Sequence, residues 1–371
     1  MREIRFHPER LTEAREARGC RMKDLAEAVG ASPSAATKWE SGEHVPETAR
    51  IIGIAAHLGV PTSFFAHPRD QALESVFIAG GEKESSLSVA QVRRRLEWTA
   101  DVHDALADWV DFPHVNLPPA VDQRELTDPW TVEEIAGSVR RLLGIGLGPI
   151  HDVIVAMENS GITMSKMTMP IKRISGASAW RGGRPFAVVG ADMDGIQTRM
   201  AAAVQLGHIV LHRNVADDPE TAASRAAQAE RFARSLLLPA EGFARDIYRL
   251  TPKSLKELKP KWRVSVVDMV ERLIELRILE ATERPRFYKA ISAGGWRSEP
   301  GDADMYVEKP SLLSTAVDLL LDEGLMDRRG IAGAVGLHAD DIVSICGLPD
   351  GHLDVGGNVV SIVPRLRQAA V

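Results

Sequence analysis

In the stretch RMAAAVQLGHIVLH two histidines, His208 and His212, stand four residues apart. On a helix that spacing puts both imidazoles on one face, where they could share a zinc ion. Hydrolysis asks for more than a pair. It needs three protein ligands and a general base that takes a proton from the bound water. Glu230 could complete a rearranged set with His208 and His212. In the competing reading the two imidazoles only pack or hydrogen-bond within a buried helix. A second chemistry is written between Gly30 and Gly42. A short helix there would expose Ser34, Ala35, Thr37 and Lys38. Hydroxyls and a lysine meet base edges and phosphates, and a small methyl suits thymine. Ser32, at the N-cap of that helix, can join the helix N-terminus in receiving a phosphate.

The elements that must position these residues follow from apolar period and breakers. From Pro8 to Phe65 the period is helical. Leu11, Ala14 and Ala17 mark a first helix, and Met22, Leu25, Ala26 and Val29 a second, stopped by Gly30. Ser32 and Pro33 open a third that reaches Trp39, a core residue. Pro46 opens a fourth with Ile51, Ile54, Ala55 and Leu58 inward, and Phe64 and Phe65 close the unit. Ala26 and Ala36 are small enough to let the second and third helices cross steeply. Residues 69–128 read as a connector with a charged helix at 89–109. A helix follows from Thr131, as N-cap, to Leu143, and another over 149–159. ITMSKMTMPI and RPFAVVG read as strands of a small sheet. Residues 197–212 and 221–238 read as two amphipathic helices. The remainder is helical again, at 264–276 and 311–323, and ends in a helix-turn-helix-like pair, IAGAVGLHADDIVSIC. No internal repeat is evident. The expected fold is mainly α with a small central sheet.

The string RLTEAREARG through MKDLAEAVGASPSAATKWESGEHVPE to IIGIAAHLGVPTSFF resembles the XRE (phage-repressor-like) helix-turn-helix family, including its W-E-x-G at Trp39-Glu40-Ser41-Gly42. The resemblance implies a five-helix DNA-binding domain over residues 1–68. Where the family often has Gln near the start of the second helix, Met22 stands here. Lys23 is the residue expected to take over that contact.

The helix around His208 resembles the ImmA/IrrE-type metallopeptidases, whose segment reads close to TLAHELGHLLLH. The likeness extends through VRRLLGIGLGPIHDVIVAMENSGI and AERFARSLLLP into LKPKWRVSVVDMVERLIELRIL. It implies a zincin-like domain at 129–245 followed by a helical region at 246–371. Carried over position by position, the family's first ligand falls at Val204, its general base at Gln205, its second ligand at His208 and its acidic third ligand at Gln228. Valine offers no lone pair and glutamine takes no proton, so the resemblance implies a pseudo-peptidase with no catalytic residues and no metal or other cofactor. A zinc endopeptidase that cleaves a repressor is the alternative.

Net charge is -6 over 371 residues, so DNA contact must come from a local patch. Arg2, Arg5, Arg10, Arg15, Arg18, Arg21 and Lys23 supply one, and Arg93-Arg94-Arg95 a second run. Two distant cysteines, Cys20 and Cys346, exclude a disulfide scaffold and suit a reducing cytoplasm. There is no phosphate-loop or dinucleotide motif, no apolar run that spans a bilayer and no signal-peptide core. The expected protein is a cytoplasmic transcriptional regulator: an autoregulator, an antitoxin-like protein or a mobile-element repressor. Its expected partners are a double-stranded operator, bound as a homodimer, and a toxin or other protein.

Overall fold

The structure, a computed structural model, describes residues 5–69, 71–81, 84–215, 218, 220–296 and 305–354. It opens with α1 (Pro8–Ala17), α2 (Met22–Ala28), α3 (Pro33–Glu40) and α4 (Thr48–Leu58), closed by a 3-10 turn at Thr62–Ala66. Gly30 makes the turn between α2 and α3 at φ +62, a conformation that favours glycine. The Ser32 hydroxyl accepts the Ala35 N–H and so caps α3, with Pro33 in the first turn. Ala26 and Ala36 are fully buried where α2 meets α3, and Trp39, Phe64 and Phe65 lie in the same core. Arg50 of α4 donates to the Val29 and Gly30 carbonyls and so clamps α4 to that turn.

The next stretch does more than connect. It supplies β1 (Glu74–Ala79) and α5 (Ser86–Ala107), a helix of 22 residues and about 33 Å. After α6 (Pro129–Leu142) and α7 (Val153–Asn159) come β2 (Thr163–Met167), β3 (Gly176–Arg181) and β4 (Arg184–Gly190). Asp128, three residues before the expected Thr131, caps α6, because Pro129 takes the first helical position. The sheet runs β1-β3-β4-β2, antiparallel except for the parallel β2–β4 pair. Phe186 and Val188 of β4 face α5 together with Val92, Leu96 and Ala100. Ala187 and Val189 face the opposite core. The period of two thus survives inside an apolar run because both faces of the strand are covered.

That opposite core is built from α8 (Gly195–Leu211), α9 (Ala222–Leu237), α10 (Ala240–Arg245), α11 (Pro252–Trp262), α12 (Val266–Glu275) and α13 (Arg284–Ala293). Met157, Met164 and Met167 are buried packing residues, and Met169 is half-buried. The last helices, α14 (Leu312–Asp322), α15 (Arg328–Val335) and α16 (Ala339–Cys346), return to the N-terminal domain and share its core together with Trp98, Val102 and Leu106 of α5. The α15–α16 pair reproduces α2–α3 position for position, which the sequence reading missed as a repeat. Ile331 takes the place of Leu25, Ala332 of Ala26, Val335 of Val29, and Gly336, at φ +72, of Gly30. Among the described residues no helix is long and apolar enough to cross a membrane.

One buried carboxylate fastens the N-terminal domain to α5. Glu13 of α1, 1% exposed, accepts the Trp98 indole N–H at 2.8 Å, Arg69 at 2.6 and 3.1 Å and Arg10 at 2.7 Å. Glu13→Ala should leave the buried Trp98 indole N–H without its acceptor and take from Arg10 and Arg69 the carboxylate they share. We expect a loss of about 3–5 kcal/mol, read from urea denaturation followed by Trp fluorescence. A loss below about 1 kcal/mol would remove Glu13 from that role.

Candidate functional site

The site begins with the burial of α8. Asp194 and Gln197 form a capping box at its start, and Ala201, Ala202 and Ala203 leave room for neighbours on all sides. Gly207 sets its distance from α9, since an added Cβ would sit 3.0 Å from the Ala229 carbonyl oxygen. That close approach brings Gln228 of α9 to His212. His208 Nδ1 and His212 Nδ1 lie 3.1 Å apart, and His212 Nε2 lies 3.0 Å from Gln228 Oε1. The Gln228 amide in turn donates to the Leu126 carbonyl at 3.3 Å. The network assigns one direction to this chain. His208 Nδ1–H donates to His212 Nδ1, and His212 Nε2–H donates to Gln228.

Both imidazoles are held neutral. Burial first, then the neighbouring imidazole and the Arg225 guanidinium, pushes His208 down to about 3. Burial also pushes His212 down to about 4, against the hydrogen bond it donates to Gln228. Phe77 of β1 lies parallel over His208, centroids 5.2 Å apart and planes 5° apart, and tilted against His212 at 5.5 Å. The Arg225 guanidinium stands 5.4 Å from the Phe77 ring and donates to Thr221. Neither Phe77 nor Arg225 was legible as a site residue: one lies in the connector, and the other reads as one more charge on an amphipathic helix.

The four positions carried over from the peptidase pattern do not all meet. His208 and Gln228 join through His212, while Val204, one turn earlier on α8, lines an open cleft. Gln205 is fully buried against Gly176 of β3, and neither its Oε1 nor its Nε2 finds a hydrogen-bond partner. Glu230 does not reach the histidines. It is exposed, pairs with Arg234 at 3.7 Å and lines the same cleft as Val204. Two residues on from Gln228 is about 200° round the helix, so α9 cannot aim both side chains at one point. Among the described residues no three His, Cys, Asp or Glu groups converge as a metal site needs. The cleft, about 830 Å³, is lined by Met193, Ile196, Met200 and Val204 and by charged groups, Lys172, Arg173, Glu230, Arg234 and Asp268 among them.

In α3, Ser34 and Thr37 are exposed and Ala35 is half-buried, and the N-cap Ser32 is exposed too. Lys23 of α2 is exposed as well. The Lys38 ammonium lies 3.8 Å from Glu43, a surface pair worth at most about 1 kcal/mol. The broader basic patch is a correction to the sequence reading. Arg10 pairs with Glu13, Arg15 with Glu40, Arg18 and Arg95 with Asp341, Arg21 with Asp24, and Arg94 with Glu16 and Glu97. Apart from Arg21, whose pair with Asp24 lies on the surface, those arginines serve the fold, and Arg5 is exposed. The call on Arg2 lies outside the described residues.

Comparison with known families assigns both regions. Residues 11–65 match the helix-turn-helix family, and residues 157–273 match the family of IrrE N-terminal-like domains. The second match begins at the end of α7, so it contains β2, β3 and β4 but not β1. No curated protein matches the chain.

The histidine pair makes stability depend on pH with a definite sign. The unfolded imidazoles take up protons below about 6.5 while the folded pair, at about 3 and 4, does not. The pair's contribution is therefore intact above pH 6.5 and is lost as pH falls towards 4. In His208→Met one such group is gone. The fall in unfolding free energy from pH 6.5 to 4.5 should be shallower by up to about 1.4 kcal/mol per pH unit. Equal slopes in urea titrations of both proteins would contradict the neutral pair.

Proposed function

Because this chain joins a helix-turn-helix domain to an IrrE N-terminal-like domain, we propose that it is a sequence-specific transcriptional regulator whose second domain binds a partner and does not hydrolyse peptides. The exposed α3 supports the first half. Ser34 is exposed, the Ser32 and Thr37 hydroxyls bond only within the helix, to the Ala35 N–H and the Pro33 carbonyl, and a glycine turn at Gly30 joins α3 to α2 as in helix-turn-helix units. The roles follow from position. Ser32 and Lys23 meet phosphates, Ser34 and Thr37 meet base edges, Ala35 meets a thymine methyl, and Lys38 meets a phosphate. With so few cations free for the duplex, one domain binds weakly. A homodimer on a two-fold operator, half-sites about one helical turn apart, doubles the contacts.

One observation carries the second half: His212 spends both ring nitrogens on His208 and Gln228. A zinc ion would have to break that chain, gain no ligand from Val204 and accept the nearby Arg225 cation. The residues therefore do not fit a catalytic zinc. Control of the protein's own promoter, an antitoxin-like pairing or repression of a mobile element are the regulatory settings this architecture suits.

Lys38→Ala should weaken operator binding and reduce the slope of log K against log salt by about one unit. Fluorescence anisotropy on the chain's own upstream DNA measures both, and an unchanged slope removes Lys38 from the phosphate contacts. Metal analysis tests the other half. Stoichiometric zinc in the purified protein, lost on His208→Ala, would overturn the pseudo-peptidase reading, whereas a chelator is expected to leave the melting temperature unchanged.

A further inference from the structure

The turn between α6 and α7 reads LLGIGLGPI, with glycine at 144, 146 and 148. Such a loop is loose unless something holds it. Here a buried cation does. Arg140 is 3% exposed, and among the described residues no carboxylate pairs with it. Its guanidinium donates to the Gly146 carbonyl at 2.9 Å, to the Gly148 carbonyl at 2.6 Å and to the Leu236 carbonyl of α9. Burial alone pulls its pKa down to about 10, so holding the loop this way is costly. On the far side the Leu147 carbonyl closes on Gly242 of α10, where any Cβ would collide with it.

What the loop displays is apolar. Leu142, Leu147, Val155 of α7 and Val115 are all exposed. Leu142, Ile145 and Val155 line a pocket of about 360 Å³. A Cβ added at Gly146 or Gly148 would meet nothing, so the loop is bare on its outer side. Grouped apolar exposure of this kind marks a contact surface.

Three features say what covers it. First, the face carries both a protruding leucine and a hole, so it can fill itself across a two-fold axis. Second, a chain of net charge -6 repels its own copy over much of its surface. The pocket escapes this. Its lining holds no lysine or arginine and one carboxylate, Asp152, which caps α7 by accepting the Val155 N–H at 2.9 Å. Third, Asn116 and Asn159 also line the pocket, exposed, and their side-chain amides have no hydrogen-bond partner among the described residues. An amide donates and accepts, so it can pair with its own copy, as a carboxylate or an ammonium cannot.

We propose that two copies of this chain join through the α6–α7 face, with Leu147 of each seated in the pocket of the other. The contact has an apolar centre and an amide rim. Arg140 fixes the loop beforehand and so removes the entropic cost of ordering it on association. This rests on the homodimer reading above and gives that homodimer a contact outside the helix-turn-helix domain. The operator then meets a dimer already formed.

Sedimentation velocity of the full chain without DNA tests it. The expected result is a dimer with a dissociation constant below about 10 μM. Val155→Asp and Leu147→Asp each place a carboxylate in the contact twice over. Each should raise that constant at least about thirtyfold with the urea midpoint unchanged. Leu319→Asp, at an exposed leucine of α14, should leave it unchanged. Should a variant fail to fold, hydrogen–deuterium exchange of the unmodified chain, below and above the dissociation constant, replaces it. Amides 143–148 should then gain protection in the dimer. A chain that stays monomeric up to about 50 μM overturns the proposal. So does a dimer that survives both substitutions, or one without added protection at 143–148. A surviving dimer leaves the homodimer reading intact with its contact elsewhere. A monomer leaves pairing on the operator to be read from the anisotropy assay.

Discussion

The arrangement of the molecule depends on neutralising a carboxylate in a dry interface. Glu13 sits where α1 meets α5, and water does not reach it. Such a charge is tolerated only when its hydrogen-bonding capacity is filled. Arg10 and Arg69 bring the countercharge and Trp98 an N–H. Arg69 also reaches Asp101 on α5, and Asp101 holds Arg181 of β3 at 2.7 Å. A line of alternating charges therefore runs from the DNA-reading unit through α5 to the sheet. Apolar contacts alone would hold these parts together but would leave them free to slide. Ion pairs with fixed fork geometry set one relative position.

This use of arginine explains why a chain with a helix-turn-helix domain shows so few free cations around it. Net charge is -6, and the arginines of α1 and α5 are spent on Glu13, Glu16, Glu40, Glu97 and Asp341. Electrostatic attraction to a duplex then rests on a few exposed cations, Arg5, Arg21, Lys23 and Lys38 among them, and on helix N-termini. Non-specific binding should accordingly be weak, which favours discrimination between sites over raw affinity.

How much of this was legible in the sequence depended on whether the determining partner was local. The helices of the N-terminal domain are set by Gly30, Ser32, Pro33 and an apolar stripe, all near in sequence, and they were read closely. The cap of α6 was misplaced because Asp128 and Thr131 both qualify, and Pro129 between them was given too little weight. RPFAVVG was read as a strand from its apolar run. GASAWR was not, because β3 is made of small residues whose strand character comes from being paired on both edges. β1 was hidden for the same reason. At the site, the positions on α8 and α9 followed from a family pattern. What surrounds the histidines did not, since Phe77 and Arg225 arrive by tertiary folding and bear no spacing that marks them.

The second helix-turn-helix unit shows why a motif must be judged by its surface. α15 and α16 have the same glycine turn as α2 and α3 and apolar residues at the same inward positions, yet their outward positions differ. Ser34 and Ala35 of the first unit correspond to Asp340 and Asp341 of the second, and Thr37 corresponds to Val343. Acidic groups in the first turn suit the helix dipole but repel phosphate. Asp341 is buried and bound by Arg18 through both its nitrogens at 2.6 Å, and by Arg95 at 2.9 Å. Ile342, Val343 and Ile345 are buried as well. In α16 the reading helix has become a packing helix, and the arginines that hold it are cations a duplex would otherwise compete for. The same backbone turn thus leads into an exposed helix at one end of the chain and a packing helix at the other. The charge of the first helical turn decides which.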